Sequence, residues 1–328
     1  MAKDSTGGVV DLKISVKGGS SAECASTKGA AHLLSVGAFG GTANRSGLAL
    51  CRSLEDLGAT FSASADRSAI SYNLSVSPEN VEDAFSLVAE AVTSPPAATY
   101  VLDELKSAVS DLYSSLSTSQ QLSELAHSAA FGENSPLGGS IYASSASALS
   151  GAAALDYRAA NYKAGNVVVS ASGISADSLA GLAEAGLGSM SGEAQVPPAV
   201  AYVGGSDKAK ADIGGGALLS VALPVPANGS AQVLQTVLAG RLEGLPVHVS
   251  VHSYASTGLL EVQASSIGML EAAMNELKAC AAGVSSVDAY VSKLALAHAV
   301  QLDGCGAAGA VESSAAAARL SSVKAADV

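Results

Sequence analysis

The stretch LEDLGATFSASADRSAISYNLSV, residues 54–76, decides the fold. It opens on the last turn of an amphipathic helix whose apolar residues Leu48, Leu50, Leu54 and Leu57 recur at helical spacing, with Gly58 to end it. Residues 60–66 then alternate, with Phe61, Ala63 and Ala65 on one side. Asp66-Arg67-Ser68 turns the chain, and residues 69–77 alternate again through Ile70, Tyr72, Leu74 and Val76. Helix, strand, turn, strand is the unit this predicts.

Downstream, Ser77-Pro78-Glu79 reads as a helix start, with Ser77 as N-cap. The helix carries Val81, Ala84, Phe85, Val88 and Val92 on one face and stops at Ser94-Pro95-Pro96. A further helix is predicted over 100–115. Upstream, residues 9–17 read as an opening strand, and residues 164–173 as a closing one.

The second half repeats the order. Residues 216–223 read as a strand, 231–242 as a helix, 245–254 and 259–265 as a hairpin, and 267–282 and 287–303 as helices. A period of about 190 residues marks duplicated domains, not a solenoid. The fold class expected is α+β: two similar sandwich domains, each with helices on one face of a mixed, mostly antiparallel sheet. Boundaries are placed at 1–195 and 206–328, with a Gly- and Pro-rich linker at 196–205.

Composition narrows the function classes. Apolar residues make up 48% and charged residues 14%, enough for a core. The net charge of −12, with no basic run, argues against nucleic acid as a partner. The longest apolar run, 217–225, is far short of a bilayer span and contains Pro224. Cys24, Cys51, Cys280 and Cys305 are scattered without a CxxC and read as free buried thiols of a reducing compartment. The start, MAKDSTGG, has neither an apolar signal core nor an Arg-rich presequence. Targeting from this end is absent, or its segment lies outside the chain.

Several blocks carry a resemblance: KGAAHLL (28–34), GT (41–42), the quoted 54–76, ENVEDAFSLVAEAV (79–92), ELKSAVSDL (104–112) and NYKAGNVVVSASGIS (161–175). In this order they resemble the N-terminal domain of the pitrilysin-type metallopeptidases. That family includes the mitochondrial processing peptidases and the core proteins of the cytochrome bc1 complex. Active members carry H-x-x-E-H, in which two histidines bind zinc, the glutamate activates water and a distal glutamate completes the site. Transferred here, His32 takes the first histidine's place, Ser35 the glutamate's and Val36 the second histidine's. Glu104 falls on an outer acidic position and Asp111 on the distal ligand.

Valine has no lone pair to offer, and a serine hydroxyl is too weak a base for this hydrolysis. The expectation is therefore no catalytic residue, no metal and no cofactor. The resemblance implies a silent core-type subunit, peripheral on the matrix side of the mitochondrial inner membrane. Its partners there are a core protein 1 or processing-peptidase β-like subunit, cytochrome b and the other subunits of a homodimeric complex III. The alternative is the substrate-presenting α-type subunit of a processing peptidase. That subunit carries a glycine-rich loop after the LQ..L.GG helix, whereas here LQTVLAGRLEG (234–244) runs at once into LPVHVSV. Gly214–Gly216 precede a strand and read as a turn. The chain ends at SSVKAADV, where the family's last helix opens, so the second domain reads as shortened.

Two further patterns are weaker. His248 and His252 are four apart, but on a strand that separates them by roughly 13 Å, too far to share a metal. His127 and His298 read as packing or surface residues of helices.

Overall fold

The computed structural model describes residues 2–3, 8–96, 99–143, 149–194, 199–209, 217–227, 229–281 and 283. The described chain divides into two compact units. Of the described residues, the first takes in those up to Ser115 and from Ser140 to 194; the second takes in Leu116–Gly139 and those from 199 to 283.

In the first unit the elements run β1 (Ala2–Lys3), β2 (Val10–Lys17), α1 (Ala30–Val36), α2 (Gly47–Asp56), β3 (Thr60–Ala65), β4 (Ala69–Val76), α3 (Val81–Thr93), α4 (Tyr100–Glu104) and α5 (Lys106–Ser114). The second unit contributes α6 (Thr118–Phe131); the first resumes with α7 (Gly151–Asn161), β5 (Val167–Ser172) and α8 (Ala176–Leu187). The remaining second-unit elements are β6 (Leu219–Val225), α9 (Gly229–Arg241), β7 (Val247–Ser253), β8 (Gly258–Ala264) and α10 (Ile267–Ala281).

The first sheet has strand order β1-β5-β2-β4-β3, with β1 parallel to β5 and every other pair antiparallel. Val10, Leu12, Ile14 and Val16 of β2 and Ile70, Tyr72, Leu74 and Val76 of β4 all point into one core. The period of two that the sequence displays is thus the period of burial. Their partners across that core include Leu33 of α1, Leu50 and Leu54 of α2, and Phe85 and Val88 of α3. The opposite face is polar, with Ser15 beside Ser71 and Asn73 donating to Ser62. Among the described residues, α1, α2 and α3 pack on the apolar face of this sheet.

Three local expectations change. Leu48 is 63% exposed, and only Leu50 and Leu54 anchor α2, whose N-cap is Ser46 accepting the Ala49 N–H. The Ser77 side chain makes no capping bond, because a 3-10 turn at Pro78–Asn80 intervenes before α3. The helix expected over 100–115 is broken at Leu105, whose N–H reaches back three residues to Leu102 O rather than four.

The second unit has a three-stranded antiparallel sheet, β6-β8-β7. Pro224 sits on the edge strand β6, where a missing N–H costs no ladder bond on the open side. The central strand β8 is buried along its whole length. Leu260 and Val262 pack among Val233, Val237 and Leu238 of α9 and Ala273 of α10. On the other face Leu259 packs against Ala130 and Phe131 of α6. Helices on one face only is thus corrected for this unit: α6 closes the second face. The helix read over 287–303, His298, Cys305, Gly214–Gly216 and the 321–328 terminus lie outside the described residues, as does part of the 196–205 linker.

Candidate functional site

The helix that would carry a zinc motif is α1. Gly29 precedes it in the left-handed region, φ 78°, and a Cβ there would lie 2.7 Å from both Ala143 and Leu149 side chains. Glycine is what lets the chain enter the helix against those groups. The exposed amides of the first turn are taken by Glu23, whose carboxylate accepts the N–H groups of Gly29 and Ala31, each at 2.8 Å. Burial outweighs these two bonds and lifts the Glu23 carboxyl from its ordinary 4.5 to about 7.

His32 is buried, 6% exposed. Its Nδ1 accepts the Ala143 N–H at 3.4 Å, and its ring meets Tyr142 edge-on at 5.3 Å. Burial lowers its pKa, which favours the neutral ring. Ser35 is buried and donates its hydroxyl to the His32 carbonyl at 2.8 Å, an intrahelical bond that leaves it turned to the backbone. Val36 packs against the hydrophobic core. Glu104, the last residue of α4, and Asp111 of α5 are both exposed.

These five residues do not make a zinc site. Zinc needs about three protein donors converging within roughly 2.0–2.3 Å. Of the five, Val36 has no donor atom and Ser35 spends its proton on the backbone. Among the described residues no group of three or more His, Cys, Asp or Glu side chains is placed to hold a metal ion. The residues present do not fit the group that the family's motif would hold.

The α1 helix also packs closely at its C-terminal end. A Cβ on Gly37 would lie 2.6 Å from Leu102 Cδ2 and 3.3 Å from Leu105 Cδ1, so the end of α1 closes directly on the α4–α5 break. The GT block at 41–42 is held by Glu90 of α3, which accepts from Thr42 Oγ1 at 2.6 Å, Asn44 Nδ2 at 3.2 Å and Arg45 Nε at 3.1 Å. Burial pulls the Glu90 pKa up, but these donors and the Arg45 charge win and lower it.

The second unit holds a polar cluster that the sequence reading missed. Glu261 of β8 is fully buried, at 0% exposure. It accepts from Ser123 Oγ of α6, Ser220 Oγ of β6 and Gln263 Nε2, each at 2.8 Å. His252 Nε2 of β7 lies 3.4 Å away. Burial alone would raise the Glu261 pKa, but the four partners bring it down to about 2. Ser119 donates to Gln263 Oε1, and Gln263 returns a bond to the Ser119 carbonyl at 3.1 Å.

Beside it His127 of α6 is also fully buried. Its Nδ1 lies 2.7 Å from Ser123 O, so it carries the proton, and in the neutral ring Nε2 accepts from Tyr254 OH at 2.7 Å. His127 and His252 rings meet at 4.8 Å, whereas His248 is exposed on the same strand. The one available signal was Glu261-x-Gln263 on an alternating strand, which reads as a solvent face until α6 is known to cover it.

The cysteines divide. Cys280 is buried and Cys51 half-buried, as expected of packing thiols, but Cys24 is exposed. Hydrogen bonding from the Ser26 hydroxyl at 3.1 Å and the Thr27 hydroxyl at 3.3 Å brings its thiol down to about 7.

The first unit is thus an α+β domain in which α1 carries His32, Ser35 and Val36 at the motif positions. Residues 1–144 match the family model described as insulinase (peptidase family M16). The match falls on the N-terminal part of the chain, where the sequence blocks resemble the same family. No curated protein matches the chain. No helix among the described residues is long and apolar enough to cross a membrane.

Proposed function

We propose that this chain is a catalytically silent M16-type subunit with a structural and assembly role. The observation that carries the reading is the state of α1: His32 is buried with Nδ1 engaged, Ser35 is turned to the backbone and Val36 is packed into the core. A helix so committed holds the domain together and leaves neither a base nor a ligand set for peptide hydrolysis.

Within the family the proposal is core protein 2 of the mitochondrial ubiquinol–cytochrome c reductase. There the chain would be peripheral on the matrix side, paired with a core protein 1-like or β-type subunit and seated against cytochrome b. The KGAAHLL block, which keeps HLL while losing the rest of the motif, supports this. The connection between α9, ending at Arg241, and β7, starting at Val247, also supports it over a substrate-presenting α-type subunit. It is too short for a glycine-rich substrate loop. Native-gel separation of detergent-solubilised membranes, with mass identification of what co-migrates, tests the choice. A haem-containing complex is expected; a soluble zinc-containing heterodimer would overturn the assignment in favour of the processing-peptidase partner.

A further inference from the structure

A cleft of about 680 Å³ opens on the first unit between the end of α3, the end of α7 and the segment after α8. Its floor is Arg158 of α7, 8% exposed. One nitrogen, Nη2, donates to the carbonyls of Ala91 and Val92 at the C-terminus of α3. The guanidinium lies over the Tyr162 ring, 4.9 Å from its centroid, and the Tyr162 hydroxyl is fixed by Tyr72 OH at 2.8 Å. The guanidinium is therefore held in place.

That arrangement uses one nitrogen of a group with five donors. The carbonyl end of α3 offsets only about half a charge, and no carboxylate pairs with Arg158 among the described residues. Arg158 lines the cleft, and neither its Nε nor its Nη1 is among the described side-chain atoms both sealed from solvent and unpartnered. Lys163, also lining it, packs its stem on Gly192 and has no carboxylate partner either. The chain has 29 acidic residues against 17 basic ones, yet leaves two cations unneutralised in one cleft. A buried cation without a counter-charge is costly unless one arrives. Thr93 and Ser191 add polar groups, and Leu155 and Met190 an apolar wall.

We propose that this cleft binds a small-molecule oxyanion, a carboxylate or phosphate group, with a remaining N–H of Arg158 as the fixed donor and Lys163 as the second, movable cation. The site is independent of α1 and of the structural role assigned above. Calorimetric titration of the full chain at low salt, with octanoate and with inorganic phosphate as probes and octanamide as the neutral control, tests it. Saturable binding of at least one anion and none of octanamide is expected. Tighter octanoate assigns a carboxylate on an apolar body; tighter phosphate assigns a phosphate group. Lys163→Met, which leaves the α3 contact intact, weakens binding about tenfold, the loss of one charged contact. Arg158→Gln abolishes it; if that variant does not fold, Lys163→Met decides. No saturable binding of either anion, or unchanged affinity in Lys163→Met, overturns the proposal.

Discussion

Replacing Glu261 by Gln exposes what the buried cluster of the second unit contributes. The substitution keeps size and shape but removes the charge that draws donors from three strands and a helix. Lowering a carboxyl from 4.5 to about 2 corresponds to about 3 kcal/mol in favour of the ionised folded state, at 1.36 kcal/mol per pKa unit. A second route agrees in size: unsatisfied buried donors cost about 1–3 kcal/mol each, and the new amide turns an N–H toward at least one of them. The sign follows from the depressed folded pKa. The contribution is complete above about pH 4.5 and is lost as pH falls through about 2. Urea unfolding followed by circular dichroism, for wild type and Glu261→Gln at pH 7, 5 and 3, measures it. The expected gap is about 3 kcal/mol at the two higher values and roughly half that at pH 3. A gap below about 0.5 kcal/mol at pH 7, the size of an ordinary surface change, or one that does not shrink at pH 3, refutes the reasoning.

Other outcomes follow from single groups. Cys24 alkylates with iodoacetamide fastest of the described cysteines, with a half-maximal rate near pH 7, while Cys280 reacts only on unfolding; peptide mapping after short exposures reads both. Glu23, with its folded pKa raised to about 7, favours the fold fully below pH 4.5 and loses that contribution as pH rises to about 7. Wild type therefore loses ground to Glu23→Gln across that window in thermal melts, and a gap that is flat with pH counts against the assignment. Restoring the motif by Ser35→Glu with Val36→His gains zinc affinity in competition with a chromophoric chelator, with Asp111 as third donor; no gain contradicts the placement of Asp111.

The first sheet was legible because the apolar residues of β2, β3 and β4 all fall on one face, even where polar residues on the other face, such as Ser71, are also buried. Phe61, Ala63 and Ala65 alternate against exposed neighbours, and the core residues of β2 alternate against half-buried ones. The second sheet was legible in its strands but not in its layers. β8 reads as alternating while it is buried throughout, since α6 lies more than a hundred residues earlier in sequence and no local pattern connects the two. Leu48 misled because helical spacing says which residues share a stripe, not how wide the covered stripe is. At the motif helix the substitutions themselves were readable. That Ser35 bonds to the His32 carbonyl and His32 accepts from Ala143 was not, because the partner lies 111 positions away. Arg158 left no trace in sequence for the same reason: its value comes from where the carbonyls of α3 and the ring of Tyr162 place it.

The central claim is that α1 holds this domain together without serving chemistry. Hydrolysis of a fluorogenic peptide library by the purified chain, with zinc supplied and with chelator added, tests it most directly. The account predicts equal, background rates in both. Turnover that needs zinc and disappears in His32→Ala would contradict it.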